Sequence, residues 1–446
     1  MTEPLTADDR GVTTSPTFRS LANPNYRRYA AGGVVSNTGT WMQRVAQDWL
    51  VLELAAGSGA TALGITTGLQ FLPFLLLTPV AGLVADRVPK QRLLQLTNLG
   101  MALPALVLGV LAVTGTAEVW HVYVLALLLG AASAFDAPAR QSFVSEIVDP
   151  GDLTNAVGLN SASFNAARLV GPGLAGLLIA ALGGGAVATG WVILLNAVSY
   201  AAPIWSLRHL DVSRIDAAAP ADRGPGAIRE GVAYVRARPD LLLVLSLVFF
   251  AGTFGLNFQI TSALMATEVF GKGPEEFGLL GSFLAIGSLA GSLLAARRPE
   301  VRQRLVVGAA IAFGISVMLA GLMPSYLTFA LLAPVTGLTA LTFITSANTY
   351  MQLHTDAGVR GRVMALYLMI FMGGTPVGAP IIGWIGHEYG ARWTLLGGGL
   401  MTILGVVLSA MMYLRLERAR NGRVAAQPDT VRDEVADDVR TAPAAF

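Results

Sequence analysis

Twelve long apolar stretches are the feature of this 446-residue sequence that most constrains its fold. A stretch of roughly 18 or more apolar residues with few charges predicts a membrane helix, because about 20 helical residues cross the hydrocarbon core of a bilayer. The predicted spans are 29–54, 61–84, 93–114, 120–140, 155–182, 189–207, 241–267, 276–296, 304–322, 326–351, 363–386 and 392–414. We therefore predict an all-α membrane protein with twelve transmembrane helices.

The composition excludes several classes of protein. Only 13% of the residues are charged, whereas a soluble domain carries about 25%. The net charge of +2 gives no reason to expect a nucleic-acid partner, and a chain without cysteine has no disulfide and no thiolate metal site. Because the sequence also has no P-loop and no zinc-protease motif, we predict no enzyme, no metal and no cofactor. A membrane-embedded enzyme or a passive channel stays as the alternative of another class.

The basic residues indicate how the chain is oriented in the membrane. Most of the thirty basic residues lie in alternate connections between the predicted spans, and the other connections are nearly bare. Since arginine and lysine concentrate in cytoplasmic loops, we expect both termini in the cytoplasm. The first 20 residues are polar and show no cleaved signal peptide.

The longest polar interruption divides the chain into two halves of six spans. We predict a cytoplasmic arm over 1–28, a six-helix bundle over 29–207, a cytoplasmic linker over 208–240, a second bundle over 241–414 and a disordered cytoplasmic tail over 415–446. The end of the linker, Ile228 to Val235, is either an amphipathic helix on the membrane surface or a solvated connection.

The two halves also repeat one another at an offset of 207 residues. The matched identities are Asp149 with Asp356, Gly151 with Gly358, Leu159 with Leu366, Gly171 with Gly378 and Gly176 with Gly383. Parallel six-span repeats describe one large architecture of transporters, with a binding cavity between the halves. Chance similarity between two glycine-rich helices is the alternative.

The connection after the second span reads Gly82-Leu83-Val84-Ala85-Asp86-Arg87-Val88-Pro89-Lys90-Gln91-Arg92. This segment resembles motif A of the major facilitator superfamily. The resemblance implies a fold of two pseudo-symmetric six-helix bundles. It also implies that this segment latches the two halves on the cytoplasmic side. The resulting candidates for a cytoplasmic gate are Gly82, Asp86, Arg87, Lys90 and Arg92, with Asp136 and Arg140 from the end of the fourth span.

The fifth span contains a form of the antiporter signature of that superfamily. Gly171, Pro172 and Gly176 match it, while Ala167 and Ala175 stand where glycine is usual. The resemblance implies a helix break and an antiport mechanism, which the two alanines weaken.

Two further stretches resemble a bacterial exporter branch of the superfamily. They run from Asn37 to Leu50 and from Phe135 to Gln141. The branch includes enterobactin exporters, macrolide efflux proteins and mycobacterial multidrug-efflux proteins. This resemblance implies a multi-pass protein of the bacterial inner membrane. It further implies export of drugs, natural products or siderophores.

Five charged residues lie at membrane depth, namely Arg44, Asp48, Asp136, Arg140 and Arg168. Each needs a partner or a purpose, because a charge at mid-bilayer costs roughly 2.5–3.5 kcal/mol on insertion scales. Asp48 is the leading candidate for proton coupling, with Arg44 and Arg168 as charges that modulate it. A permanent ion pair between Arg44 and Asp48 with a structural role is the alternative. For Asp136 and Arg140 we favour a gate over substrate contact.

Polar and aromatic side chains in the spans are candidates for the substrate cavity, although any one of them can instead face lipid or the core. They are Trp41, Gln70, Phe71, Asn160, Asn165, Asn257, Gln259, Asn348 and Gln352. Apolar walls with a few polar groups suit moderately hydrophobic ligands.

The sequence thus predicts a proton-driven exporter of small amphiphilic molecules, acting as a monomer in the lipid bilayer. A dedicated siderophore exporter is the second hypothesis, and an importer is the third.

Overall fold

The structure is a computed structural model, which describes residues 16–55, 57–215, 227–296, 300–356 and 358–425. These residues form helices and no strand. Spans 1 to 6 are Pro24–Leu54, Gly59–Arg87, Lys90–Val113, Val119–Ile147, Leu153–Ala181 and Gly185–Arg208. Spans 7 to 12 are Pro239–Val269, Pro274–Ala296, Gln303–Gly321, Tyr326–Leu353, Arg360–Tyr389 and Ala391–Ala425.

Eleven helices in this part of the chain are long and apolar enough to cross a membrane. Span 1 is not among them, although its 31 residues exceed the length that a bilayer requires. Its interior is too polar, because Gln43, Arg44, Gln47 and Asp48 follow one another within two turns. Span 1 nevertheless packs against spans 5 and 6 inside the first bundle. The predicted all-α membrane fold is confirmed.

The end of span 12 and the start of span 1 differ from the prediction. Span 12 continues to Ala425, since leucine, arginine, glutamate and alanine favour helix beyond the membrane. The prediction of disorder from residue 415 is therefore wrong up to 425, and residues 426–446 lie outside the described part. Span 1 begins at Pro24, after a short helix over Pro16–Ala22. Of the predicted arm and linker, residues 1–15 and 216–226 are not described.

Helix pairing is the same in both halves. In the first bundle span 1 packs on span 5, span 2 on span 4, and span 3 on span 6. The second bundle repeats these pairs with span 7 on span 11, span 8 on span 10, and span 9 on span 12. The two bundles are thus one arrangement used twice.

The repeated glycines explain why the halves share a sequence signal. A Cβ at Gly171 would lie 2.6 Å from the Cβ of Trp41 on span 1, and one at Gly378 would meet the carbonyl oxygen of Thr253 on span 7. Both glycines therefore let the fifth helix of a bundle approach its first helix closely. The repeat reflects equivalent packing, which argues against chance similarity.

The second repeated pair of glycines joins the two bundles. A Cβ at Gly176 would lie 2.9 Å from the Cα of Glu275 on span 8, and one at Gly383 would lie 3.0 Å from the Cα of Gly64 on span 2. Spans 5 and 8 and spans 2 and 11 thus form two tight seams between the bundles. Both seams lie towards the same face, which carries the connections between spans 1 and 2 and between spans 7 and 8.

We call that face the opposite face, and the one that carries residues 16–23, 87–92 and 227–238 the basic face. Near the basic face Phe164 and Val157 of span 5 are about half exposed, and Gly158 has open space beside it. We infer that the bundles close at the opposite face and separate towards the basic face.

Span 5 runs through Pro172 as one α-helix. The predicted break at Gly171, Pro172 and Gly176 is therefore wrong for this structure. Small residues pack closely at this position instead, since a Cβ at Gly281 of span 8 would lie 2.8 Å from the Cβ of Pro172. Span 11, in contrast, divides at Gly374, just before Pro376.

Each bundle is preceded by a short strap on the basic face. In the first, Ser20 donates its backbone N–H to the Oδ1 of Asn155 (3.0 Å), and Arg19 pairs with Asp152. The second strap is the linker helix, Ala227–Arg236, where Glu230 pairs with Arg362 at 2.5 Å. Of the two hypotheses for the linker, the helix is observed, and it packs against the start of span 11.

Candidate functional site

A polar stripe on span 1 is the centre of the candidate site. Gln43 and Gln47 are one helical turn apart, as are Arg44 and Asp48, so the two pairs lie side by side on the helix. The first pair points into its own bundle, because Gln43 accepts a hydrogen bond from the Nδ2 of Asn196 and Gln47 donates one to Gln70 at 3.2 Å.

Asp48 is a buried carboxylate with one oxygen that forms no hydrogen bond. Its exposed fraction is 5%, and its Oδ2 has no hydrogen-bond partner in the described structure. No ion pair joins it to Arg44 among the described residues, so the alternative of a permanent salt bridge is not observed. An unpaired buried acid is costly when charged, and its protonation state is therefore sensitive to its surroundings.

Arg44 and Arg168 share an aromatic partner instead. The guanidinium of Arg44 lies 4.7 Å from the ring centre of Trp41, and that of Arg168 lies 5.5 Å from the same ring. Such contacts contribute about 0.5–2 kcal/mol each, depending on solvation. Trp41 also packs edge-on against Phe164 of span 5 at 5.7 Å. Two arginines on one indole thus line the wall where span 1 meets span 5.

A partly open cavity of about 50 Å³ lies within the first bundle, between spans 1, 2, 4 and 6. Its lining residues are Thr40, Gln43, Arg44, Gln47, Gln70, Phe71, Phe74, Leu129, Gly130, Ser133, Asn196 and Tyr200. Of the candidates for a substrate cavity, Gln70 and Phe71 belong to this lining. The volume suits a few waters rather than a drug-sized ligand.

The other cavity candidates lie elsewhere. Asn165 bonds to Ser161 of its own helix, and Asn257 donates to the carbonyl of Thr253 in the same way. Asn348 and Gln352 bond to each other at 2.5 Å. Asn160 is partly exposed on span 5, and Gln259 is partly buried on span 7. The structure does not bring these residues together into one site.

The gate candidates form two ion pairs near the basic face. Asp136 accepts two hydrogen bonds from Arg140, at 2.6 and 3.0 Å, and a third from Thr97 at 2.8 Å. Lys90 binds Glu146 at 2.5 Å, and both side chains are almost fully buried. The Lys90–Glu146 pair and the Thr97–Asp136 bond fasten span 3 to span 4, and neither ion pair joins the first bundle to the second.

The remaining gate candidates surround these pairs. Gly82 and Asp86 lie in the last turns of span 2, and Arg87 and Arg92 are exposed on either side of the connection to span 3. The motif thus sits at the basic rim of the opening between the bundles.

Sequence reasoning missed six polar residues of the cavity wall, namely Thr40, Gln43, Gln47, Ser133, Asn196 and Tyr200. The hydroxyl groups of Thr40 and Tyr200 lie 3.4 Å apart, and Tyr200 is only 1% exposed. The signal was present in span 6, where Asn196 and Tyr200 are one helical turn apart in an apolar helix. Without knowledge of which helices pair, it could not be connected to span 1.

Comparison with known proteins gives a family and several relatives. The model of a family described as transmembrane secretion effector matches residues 15–441. The multidrug efflux pump Tap of Mycolicibacterium fortuitum is 29% identical over 397 residues, which is 86% of this chain and 94% of that protein. The staphyloferrin A transporter of Staphylococcus aureus is 25% identical, over 86% of this chain and 96% of that protein. Macrolide efflux protein A of Streptococcus pyogenes is 24% identical, over 83% of this chain and 92% of that protein.

Solved structures give the same fold at low identity. An inward-facing, unoccupied bacterial homologue of the human lysosomal transporter Spinster has a TM-score of 0.66 at 14% identity and covers 88% of this chain and 98% of its own. A bacterial homologue of the iron transporter ferroportin, also inward-facing, has a TM-score of 0.64 at 16% identity with the same coverage. Both neighbours are transporters of helical bundles, so the likeness concerns architecture.

Proposed function

Because the chain belongs to the transmembrane secretion effector family of major facilitator transporters, we propose that it exports small amphiphilic molecules by proton-coupled alternating access. The family and the fold are those of transporters and not of enzymes. The observation that carries the proton coupling is Asp48, a buried acid whose Oδ2 forms no hydrogen bond, on the helix that also bears Arg44.

The orientation of the chain in the membrane follows from the distribution of its charges. We assign the basic face to the cytoplasm, because cytoplasmic loops carry the excess of arginine and lysine. Both termini then lie in the cytoplasm of a bacterium, and the protein is a multi-pass protein of the inner membrane. The opening towards the basic face becomes the entrance for cargo from the cell.

Proton binding at Asp48 supplies the coupling. Removal of a carboxyl group from water favours its neutral form, and a nearby cation favours its charged form. When the bundles rock, the solvent exposure of Asp48 changes, and rotation of side chains within the first bundle changes its contact with Arg44 and Arg168. A proton taken up from outside is then released inside, and the gradient drives the return of the empty transporter.

The two seams at the opposite face open in the other half of the transport cycle. Spans 5 and 8 and spans 2 and 11 meet through glycine and proline, with few long side chains to disengage. Apart from one hydrogen bond, which Ser282 of span 8 donates to the carbonyl oxygen of Leu169 at 2.6 Å, the contacts described here are packing contacts. They can therefore separate and re-form in each cycle. The structure is then the cytoplasm-open state.

The cargo class is drawn from the site and the relatives. Trp41 and Phe164 offer aromatic surface, and Arg44 and Arg168 offer hydrogen-bond donors, which together suit an amphiphilic molecule. Relatives carry names of multidrug, macrolide and siderophore transporters. A dedicated siderophore exporter is the second candidate, favoured by the relative that transports staphyloferrin A. We expect a monomer with protons, cargo and lipid as its partners, and no cofactor or nucleic acid.

The test is transport in proteoliposomes with an imposed pH gradient. A panel of a fluorescent cationic dye, a macrolide and staphyloferrin A first finds the cargo. Asp48→Asn should then reduce gradient-driven transport to the level of empty liposomes, while cargo exchange without a gradient persists.

Glu53→Gln is the matched control, since Glu53 is an exposed carboxylate on the same helix that accepts a bond from Trp49. Gradient-driven transport that survives in Asp48→Asn removes Asp48 from the mechanism. If only staphyloferrin A moves in the wild type, the second candidate replaces the first.

A further inference from the structure

Two arginines at membrane depth make no hydrogen bond and no ion pair within the described part of the chain. Arg44 of span 1 and Arg168 of span 5 instead contact the ring of Trp41, at 4.7 and 5.5 Å from its centre. An aromatic ring attracts a cation, but it has no lone pair that accepts a hydrogen bond. The N–H donors of both guanidinium groups therefore have no acceptor among these residues.

The first bundle does not neutralise the charge of this site. Arginine stays protonated in proteins, and the two Cζ atoms are no farther apart than the sum of their distances to the ring, about 10 Å, so the like charges repel. Asp48 attracts Arg44 electrostatically, but one carboxylate offsets only one of two positive charges. Asp136, the other acid at membrane depth, already accepts hydrogen bonds from Arg140. At least one positive charge remains.

The second bundle offers no acid to this site in any position of the bundles. The membrane-spanning parts of its six helices share the absence of charged residues. They are 241–267, 277–296, 305–322, 326–353, 363–386 and 393–414. Rocking of the bundles changes which helix faces Arg44 and Arg168, but it brings them no carboxylate. Because a charge at membrane depth needs a partner, the balancing anion has to come from outside the chain.

Both arginines lie on the basic-face side of the contacts with span 8. The carbonyl oxygen of Leu169, the residue after Arg168, accepts a hydrogen bond from Ser282 of span 8 at 2.6 Å. On span 1, Trp49 stacks on Phe277 of span 8 with ring centres 6.3 Å apart. Trp49 follows the arginine of span 1 by roughly one and a half helical turns. The two arginines thus lie where the opening between the bundles ends.

An aromatic wall adjoins the arginines. Phe164 precedes Arg168 by about one turn of span 5, is 47% exposed and packs edge-on against Trp41 at 5.7 Å. A molecule that enters from the basic face therefore finds apolar surface for its body and cationic donors for its end.

We propose that the cargo is an amphiphilic anion and that Arg44 and Arg168 bind its anionic group beside Trp41. A carboxylate suits the pair, because each of its two oxygens can accept a charge-assisted hydrogen bond from one guanidinium group. The inference rests on the proposed function, since it names the charge of the molecule that the exporter carries. Of the transport panel, the cationic dye should then not move.

The charges also fit the proposed cycle. With a singly charged cargo and a charged Asp48, two positive and two negative groups cancel. A neutral set of charges costs least to enclose between the bundles, so the loaded transporter crosses without a proton. After release the site stays positive in either form of Asp48, and a membrane potential that is negative inside favours its inward return.

A series of three probes tests the charge of the ligand on the wild-type protein. Pyrenebutyrate, pyrenebutanol and pyrenebutyl-trimethylammonium share one aromatic body and differ in the charge of the head group. Fluorescence titration in phosphatidylcholine nanodiscs, with empty nanodiscs subtracted, measures saturable binding. The anion should bind about tenfold more tightly than the alcohol, as expected for a hydrogen bond to a charged group, and the cation least tightly. Binding that ignores the head group, or no saturable binding of pyrenebutyrate, overturns the inference.

Variants then assign the binding to the two arginines. Arg44→Gln and Arg168→Gln should each weaken binding of pyrenebutyrate about tenfold and leave pyrenebutanol unchanged, whereas Arg168→Lys, which keeps the charge, should lose less. Arg302→Gln is the matched control and should change neither, because Arg302 is an exposed arginine of the basic face. Wild-type affinity for pyrenebutyrate in both glutamine variants overturns the assignment. The series on the wild type does not depend on how well a variant folds.

Binding and transport separate this inference from the proposed function. A wild type that prefers the anionic probe but transports nothing in proteoliposomes contradicts the proposed function and leaves the anion site in place. A wild type that transports the cationic dye with the pH gradient, and does not prefer the anionic probe, overturns the inference and supports the proposed function.

Discussion

Spans 1 to 6 and spans 7 to 12 fold alike, yet charged side chains lie deep only in the first group. Arg44, Asp48, Asp136, Arg140 and Arg168 are all well inside helices of the first bundle. In spans 7 to 11, each charged residue lies within three residues of a helix end, and span 12 carries only Arg392 near its start before the run from Arg415. The pairing of helices is therefore a property of the repeat, whereas the charge is a property of one half.

This difference teaches which requirement each half meets. Close packing through Gly171 and Gly378 is needed in both bundles, because both must present a first and a fifth helix to the seam. A buried charge costs free energy, so it persists only where it does something. We infer that the first bundle handles protons and that the second acts as a neutral partner that rocks against it.

The largest expected change in stability results from breaking an ion pair of the first bundle. Glu146→Gln leaves Lys90 buried without its partner, which should destabilise the protein by about 3–5 kcal/mol. Thermal unfolding in detergent measures it. Lys90→Met combined with Glu146→Leu should recover much of the loss, and a Glu146→Gln protein as stable as the wild type would contradict burial of this pair.

A middle-sized effect should appear in both halves, and it should be larger at Gly378, where a Cβ would overlap the backbone of Thr253. Gly171→Val and Gly378→Val each insert a side chain where the fifth helix meets the first, and overpacking of this kind costs about 1–3 kcal/mol. Gly158→Ala is the control, because it has open space beside it. Unfolding temperatures that fall in only one of the two valine variants would break the equivalence of the bundles.

The smallest expected change in stability concerns the ion pair between the linker helix and span 11. Glu230 and Arg362 are bonded, but their side chains are 56% and 35% exposed. Exposed pairs contribute about 0–1 kcal/mol, so Glu230→Gln should change the free energy of unfolding by no more than about 1 kcal/mol. A loss as large as that of Glu146→Gln would remove the contrast between the two halves.

Much of the fold could be predicted because apolar length and loop charge are local properties. The spans and the repeat needed no knowledge of contacts. The break in span 5 was wrongly predicted, since proline lowers helix stability locally but neighbouring small residues on span 8 can hold the helix straight. The end of span 12 was missed because helix propensity continues where hydropathy stops.

The site was harder to predict, since it depends on which helices meet. Arg44, Asp48 and Arg168 stand out in the sequence because charge in a membrane is rare. The residues around them do not stand out in this way. Trp41 contacts two arginines, and Tyr200 comes from another helix. Helical spacing suggested that Arg44 pairs with Asp48, but spacing does not fix the side-chain rotamers that decide the pair.

The two straps bear on how such a chain arose. Asn155 and Arg362, which anchor them, are themselves 207 residues apart, as are Asn23 in the first strap and Glu230 in the second. A tandem duplication that copied only the membrane helices would have left the second strap without a counterpart. The matching positions are what a duplication of the strap together with its six helices would give.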